Sequence, residues 1–471
     1  MTYTIEKVTT LIGARRYGDK DTNIGFILTD SRSLCFPEET LFFALKSERN
    51  DGHNYIPELY RRGVRNFVVT NVPKGITPQS ALGWRVFALQ RLAERHRDEF
   101  NIPIVGITGS NGKTMVKEWL HQLLSPNMFV TRSPRSYNSQ IGVHLSVWLM
   151  NEQTEVGVFE AGISQPGEML ALRDIIQPTI AVLTYLGSAH QENFESLEAK
   201  CREKIILFHD AETIVYNGDD EIVARVVGEY HDYKGEKLYW SLKDSAAPFY
   251  VKNIEKKGNL SIITYIYKGE EDSYSLPFID EASVTNSIIA AVVSRKLGVT
   301  AEDVDKRMSL LEPVAMRLEV KEGQHGCTLI NDSYNSDINS LDIALDFMSR
   351  RPDHKGRRHT LILSDIFQSG ENPKDLYKEV SDLCRKRGVV KFIGVGPQLY
   401  EQSDEIQISE KFFFRNIEDF IKSEVFASLR DEVILLKGAR QFGFDQLTEL
   451  LVKKVHETTL EVNLNAVVAN L

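Results

Sequence analysis

Residues 102–124, IPIVGITGSNGKTMVKEWLHQLL, constrain this chain more than any other stretch. The run from Ile102 to Thr108 is apolar and β-branched, which reads as a buried parallel strand. A turn of Gly109, Ser110, Asn111 and Gly112 follows, and Lys113 and Thr114 open a segment with helical spacing. Together these pieces predict a phosphate cradle. Backbone N–H groups of the turn and the positive end of the helix face an anion. Lys113 adds a point charge, and the Thr114 hydroxyl is suited to Mg2+. The strict G-x-x-x-x-G-K-[ST] pattern needs a glycine five residues before Gly112, where this chain has Ile107. The string present is T-G-x-x-G-K-T. The bland alternative is an ordinary strand-to-helix turn with an exposed lysine.

A length of 471 residues suggests about three domains at ~150 residues each. With 42% hydrophobic and 26% charged residues the chain has a globular composition. A net charge of −10 gives no general attraction for nucleic acid or an anionic membrane. A phosphate-rich ligand therefore has to be gripped locally. Cys35, Cys201, Cys327 and Cys384 lie far apart and form no C-x-x-C pair, so reduced thiols are expected and structural zinc is not. The N-terminus lacks a signal peptide's basic start and apolar block, and no run reaches the ~18 apolar residues of a membrane helix. A soluble, cytoplasmic protein is expected.

The layout is α/β throughout. Residues 1–99 read as a small module with strands at 41–45 and 66–70 and helices at 54–62 and 82–100. Its loop strings Thr29-Asp30-Ser31-Arg32 and Asn50-Asp51-Gly52-His53 fit either turn capping or ligand binding. Residues 100–313 read as a nucleotide module. Strand 155–159 delivers Glu160, strand 179–186 delivers His190, and strand 213–216 follows. Four strands alternating with helices predict a parallel sheet whose ligands lie beyond the strands' carboxyl ends. Glu160 and His190 then share an edge with Lys113, and an acidic residue on a neighbouring strand is where an NTPase keeps a second metal contact. Residues 249–278 suggest hairpins around Gly258-Asn259 and Gly269, and helices at 282–297 and 301–311 close the module. Glu312-Pro313 marks a hinge. Residues 314–457 form another α/β layout, with strands at 328–331, 360–363, 391–395 and 433–436. Helices are expected near 341–350, 373–387, 417–429 and 446–455.

These strings resemble the Mur ligases, the amide-forming enzymes of bacterial peptidoglycan synthesis. The resemblance covers residues 1 to about 457 and rests on TGSNGKT (Thr108–Thr114) together with motifs of the MurF type. Glu160 to Glu168, EAGISQPGE, is close to that type's E-M-G-x-x-x-P-G-E. Asp332-Ser333-Tyr334-Asn335-Ser336 is close to D-x-Y-N-A, and Lys437-Gly438-Ala439-Arg440 to K-G-S-R. The resemblance implies three domains: a UDP-sugar domain, a central parallel-sheet P-loop ATPase domain and a mobile C-terminal domain. It also implies ATP and two Mg2+ ions. Lys113 would serve the β/γ-phosphates, and Thr114 and Glu160 a Mg2+. His190 would reach a second Mg2+, with Lys204, as a carbamate, supplying a carboxylate there; Lys200 competes for that last role. Gly109, Ser110, Asn111, Gly112, Asn286, Arg317, Asp332, Tyr334 and Asn335 match positions around ATP. Ser31, Arg32 and Asn138 match the UDP-sugar side. Lys437 and Arg440 either bind phosphate or cap a strand end. Departures from the pattern are Met316, Ser364 and Ser47 in place of glycine and His144 in place of proline, none of which removes a charged catalytic group.

The implied reaction joins D-alanyl-D-alanine to UDP-N-acetylmuramoyl tripeptide through an acyl phosphate. Two other readings stay open. One is a sibling amide ligase, adding a single amino acid or extending folate with glutamate. The other is a non-catalytic ligase module supporting a fused enzyme. Residues 458–471 resemble the opening strand and helix of alanine racemase. On that reading the chain is the ligase part of a fusion and carries no segment for pyridoxal phosphate; the alternative is an extension of the third domain.

Overall fold

The structure is a computed structural model. It describes residues 3–17, 21–46, 51–69, 80–83, 86–134, 136–187, 191–231, 233–312, 314, 318–333, 337–350, 356–366, 372–438 and 442–453. Of the sequence expectations, His190, Arg317, Tyr334, Asn335, Arg440, Ser47, Met316, the proline of the expected hinge and the racemase-like tail lie outside the described residues. The chain divides after Glu312 into two compact units. Glu312 closes the first: its carbonyl accepts from Trp119 Nε1 (3.2 Å) and its N–H donates to Gln122 Oε1 (3.1 Å).

The first unit holds two principal sheets. The smaller runs Arg15–Tyr17, Ser80–Gly83, Asn66–Val69, Thr40–Phe43, Phe26–Leu28, with only the first strand antiparallel. Every residue of Thr40–Phe43 and Asn66–Val69 is buried. Leu41, Phe43 and Val68 pack with Ile5, Val8 and Leu89 on one face, and Phe42 and Phe67 with Ile56 and Leu59 on the other. Two covered faces explain why these strands read as unbroken apolar runs.

The larger sheet has nine strands. Seven are parallel, in the order Val130–Arg132, Val156–Glu160, Ile104–Thr108, Ile180–Leu183, Thr213–Asn217, Glu236–Ser241, Phe249–Lys257. The meander Phe249–Lys257, Leu260–Tyr267, Glu270–Leu276 completes it with antiparallel pairing, turning where Gly258 and Gly269 adopt left-handed backbone (φ 61° and 82°). The expectation of four parallel strands was too low. Val130–Arg132 and Glu236–Ser241 carry too many polar residues to stand out by hydropathy. Ile107 is fully buried in its strand, opposite Glu160 and Val182. The glycine loop therefore begins only at Gly109.

The second unit contains a six-stranded sheet ordered Glu319–Glu322, Thr328–Asp332, Glu432–Lys437, Arg358–Ser364, Lys391–Val395, Glu410–Phe414, parallel except for the first strand. Apolar cores lie on both faces. The single helix expected at 417–429 is two, Ile417–Ile421 and Glu424–Ala427, because Ser423 is extended and its hydroxyl caps the second at Phe426 N.

Two buried histidines in the first unit differ in how they are satisfied. His96 Nδ1 meets the Tyr3 hydroxyl (2.9 Å) and Nε2 meets the Met150 carbonyl (3.0 Å), so the neutral ring, donating from Nε2, satisfies both. His144, inside the helix Gln140–Val147, has no hydrogen-bond partner at either ring nitrogen. Burial pushes each imidazole down to about 4. An unfolded imidazole titrates near ~6.5, so between that pH and about 4 the unfolded chain holds more protons. Stability is then lost as pH falls through this window, at roughly 1.4 kcal/mol per pH unit for each ring. The variant His144→Leu removes an unsatisfied polar group. It should raise stability at neutral pH by about 1 kcal/mol and reduce the acid-side loss, measured by thermal unfolding at pH 7 and pH 4.5.

Candidate functional site

The cradle begins where the strand Ile104–Thr108 ends. Gly109 (φ 142°) and Gly112 (φ 88°) hold conformations that side chains disfavour, and both are closely approached. A Cβ on Gly109 would sit 2.1 Å from Thr184 Oγ1, and one on Gly112 would sit 2.4 Å from Asn286 Oδ1. Gly112 caps the helix Lys113–Leu124 without a side-chain hydrogen bond, and the positive end of that helix faces the loop.

The neighbouring strand Ile180–Leu183 braces the loop. Thr184 Oγ1 donates to the Asn111 carbonyl (2.5 Å), and Ser110 N donates to the Tyr185 carbonyl (2.6 Å). Gly187 N donates to Ser110 Oγ (3.0 Å). Asn111 Nδ2 is buried with no hydrogen-bond partner, a donor left over in the cradle.

Three lysines converge here. Lys113 Nζ folds back to the carbonyls of Gly109 (2.7 Å) and Ser110 (3.1 Å). The helix Leu197–Ile205, capped by Ser196, presents Lys200 and Lys204 on one face, both buried. Lys200 Nζ donates to the Gly187 carbonyl (2.5 Å), and Lys204 Nζ to the Gly109 carbonyl (3.2 Å), the same oxygen that Lys113 uses. Burial, and then the charges of Lys113 and Lys200, hold the Lys204 amine well below the usual lysine range.

Beside these cations lies a carboxylate with no exposed surface. Glu160 ends the strand Val156–Glu160. Its Oε2 accepts from the Thr114 hydroxyl (3.1 Å), which also meets Ser136 Oγ (2.8 Å). Its Oε1 lies at ion-pair distance from Lys117 Nζ (3.1 Å) but accepts no hydrogen bond, and Lys117 pairs in turn with Glu118 (3.0 Å). Among the described residues no group of three His, Cys, Asp or Glu side chains could hold a metal alone. Mg2+ ordinarily takes one or two protein oxygens and fills its shell with phosphate and water, so Thr114 and Glu160 fit it.

The structure thus brings together Gly109, Ser110, Asn111, Gly112, Lys113, Thr114, Glu160 and Lys204. Asn286 packs on Gly112, its Nδ2 3.3 Å from Met115 Sδ. Asn138 lies against the turn after Glu160, its carbonyl accepting from Gly162 N (2.9 Å). Glu168 braces that turn by accepting from Ser164 N (2.7 Å) and Gln165 N (2.9 Å). Ser31 and Arg32 belong instead to a loop of the smaller sheet, where Arg32 pairs with Asp30 (2.6 Å) and Arg62 holds the Ser31 carbonyl (3.0 Å). Asp332 is in the second unit, buried and paired with Lys437 Nζ at 2.6 Å. Lys437, expected either to bind phosphate or to cap a strand end, pairs here with Asp332. Sequence reasoning missed Lys117, Ser136 and Thr184. Lys117 was reachable, since it falls one helical turn beyond Lys113 and Thr114 on the same face.

Residues 107–294 match the family described as the Mur ligase middle domain. The chain is 26% identical over 462 residues to the UDP-N-acetylmuramoyl-tripeptide--D-alanyl-D-alanine ligase of Bacillus subtilis (strain 168), covering 92% of this chain and 94% of that protein. The MurF crystal structure from Acinetobacter baumannii superposes with a TM-score of 0.80 at 21% identity, covering 96% of this chain and 99% of that one. MurF ligase from Thermotoga maritima, solved with ADP, gives 0.74 at 22% identity, covering 90% and 96%.

Gly112→Ala should weaken nucleotide binding at least about 10-fold, since a Cβ in this backbone region carries a strain of ~1–3 kcal/mol and displaces Asn286 as well. Titration with a fluorescent ADP analogue checks this.

Proposed function

We propose that this chain, a member of the Mur ligase family of the MurF type, is the ATP-dependent ligase that joins D-alanyl-D-alanine to UDP-N-acetylmuramoyl tripeptide in peptidoglycan precursor synthesis. The observation that carries the reading is the cradle itself: a braced glycine loop with Lys113 and Lys204 on one carbonyl and the buried Thr114–Glu160 pair beside it. The near full-length similarity to UDP-N-acetylmuramoyl-tripeptide--D-alanyl-D-alanine ligases supports this type. No helix among the described residues is long and apolar enough to cross a membrane, which suits a cytoplasmic enzyme acting on soluble sugar nucleotides.

Forming an amide from a carboxylate in water is uphill, so the carboxyl group is first activated. The γ-phosphoryl group of ATP passes to the terminal carboxylate of the tripeptide, giving an acyl phosphate and ADP. The amine of D-alanyl-D-alanine attacks the acyl carbon, and inorganic phosphate leaves from the tetrahedral intermediate. Two anions must meet for the first step. Lys113 offsets their repulsion, and the positive end of the helix takes part of the phosphate charge. Mg2+, held at Thr114 and Glu160, would supply further charge neutralisation on the transferring group. Holding the partners in line is worth up to ~7–11 kcal/mol of barrier. We assign that work to the segments 1–99 for the UDP-sugar (through Ser31, Arg32 and, from the central domain, Asn138), 100–313 for ATP and 314–457 as the closing domain. Asn286, Arg317, Asp332, Tyr334 and Asn335 are assigned to the nucleotide, and His190 to a second Mg2+.

Lys204 is proposed as the carbamylated lysine. Adding CO2 requires an unprotonated amine, and burial beside Lys113 and Lys200 favours that form. Lys200 shares the burial but reaches Gly187 rather than the cradle's own carbonyl.

Phosphate release should require ATP, Mg2+, UDP-N-acetylmuramoyl tripeptide and D-alanyl-D-alanine together. Lys113→Ala should lower it at least about 100-fold, as loss of a preorganised charge at the transferring group would. Release without an acceptor, or only with a single amino acid or a folate, would overturn the assignment. In 13C-bicarbonate the wild type should give a carbamate carbon signal that Lys204→Arg lacks and Lys200→Arg retains.

A further inference from the structure

Lys117 is a fully buried cation one helical turn beyond the cradle, and no step of the ligase chemistry uses it. It sits three residues after Thr114 on the helix Lys113–Leu124, so the two side chains are neighbours on one face. Both reach Glu160: Thr114 Oγ1 donates to Oε2 at 3.1 Å, and Lys117 Nζ lies 3.1 Å from Oε1 as an ion pair that makes no hydrogen bond there. The ammonium is itself fixed from behind by Glu118 at 3.0 Å, which Arg132 Nε holds at 2.9 Å. The result is an alternating row of charges, Arg132, Glu118, Lys117, Glu160, whose last member faces the cradle.

We propose that Lys117 is a positioning residue for Glu160: its ammonium neutralises this buried carboxylate before nucleotide and metal arrive, and so keeps it ionised at the strand end in the empty site. The inference rests on the reading of Glu160 as a metal-side residue. Physically, a carboxylate with no exposed surface needs a partner in every state the enzyme visits. If only Mg2+ compensated it, the central domain would lose stability whenever the site emptied. An internal ammonium removes that dependence. Because Lys117 balances the charge at ion-pair distance without hydrogen-bonding Oε1, the carboxylate keeps acceptor capacity for a metal.

The test uses the full chain without nucleotide, in EDTA and in excess Mg2+. Lys117→Met should melt at least ~5 °C below the wild type in EDTA. Mg2+ should raise its melting temperature while leaving that of the wild type unchanged, and Lys117→Arg should behave as wild type. Adding Glu160→Gln to Lys117→Met should recover melting temperature, because the stranded charge is gone. A double variant no more stable than Lys117→Met would overturn the proposal. Recovery in the double variant with no Mg2+ effect on Lys117→Met would uphold the pairing and instead overturn the metal role of Glu160. If Lys117→Met fails to fold, the soluble yields decide. Folded double variant beside unfolded single variant supports the proposal, and loss of both overturns it.

Discussion

A single buried carboxylate ties this site to the sheet that carries it. Glu160 has no exposed surface, ends one strand of the nine-stranded sheet and is held by two residues of the helix that follows the neighbouring strand. Stranding such a charge costs about 3–5 kcal/mol, a large part of the ~5–15 kcal/mol by which a typical domain is stable at all. The helix start that would bind phosphate and the strand end that would bind metal are therefore locked to one another. Evolutionary change at either has to preserve the other.

The lysines set up the opposite condition. Lys113 and Lys204 meet at one carbonyl oxygen, with Lys200 beside them. Burial and the charges of Lys113 and Lys200 disfavour a third ammonium here, which drives Lys204 towards its neutral amine. In a protein of net charge −10, Lys113 and Lys200 still make a local positive spot in a negative field. The depressed proton affinity of Lys204 has its origin first in burial and then in the neighbouring ammonium groups of Lys113 and Lys200.

Much of this was readable in the chain. The β-branched run before Gly109, the T-G-x-x-G-K-T string and the strand ending at Glu160 placed most of the cradle, because each is local and has a fixed period or spacing. The missing glycine at Ile107 proved informative: the residue is a strand interior position with neighbours on both sides. What was not legible depended on contacts between distant segments. Nothing in the sequence pairs Lys437 with Asp332 across 105 positions, and a lysine at a strand end reads equally well as a phosphate ligand. The short strands Val130–Arg132 and Glu319–Glu322 were missed for a related reason, since they exist through pairing with a longer neighbour rather than through their own hydropathy. Helix 417–429 failed on one residue, Ser423, whose capping preference outweighed the apolar spacing around it.

The outer strand of the antiparallel meander, Glu270–Leu276, opens with Glu270, Glu271 and Asp272, and its first two residues are exposed. At the other margin the sheet ends in a strand of only three residues. A nine-stranded sheet presents two rows of backbone groups able to recruit strands from other chains, and these are two ways of refusing them: like charge on one side, too little length on the other. A sheet whose parallel neighbours are distant in sequence pairs late in folding, and these margins offer little to a competing strand in the meantime.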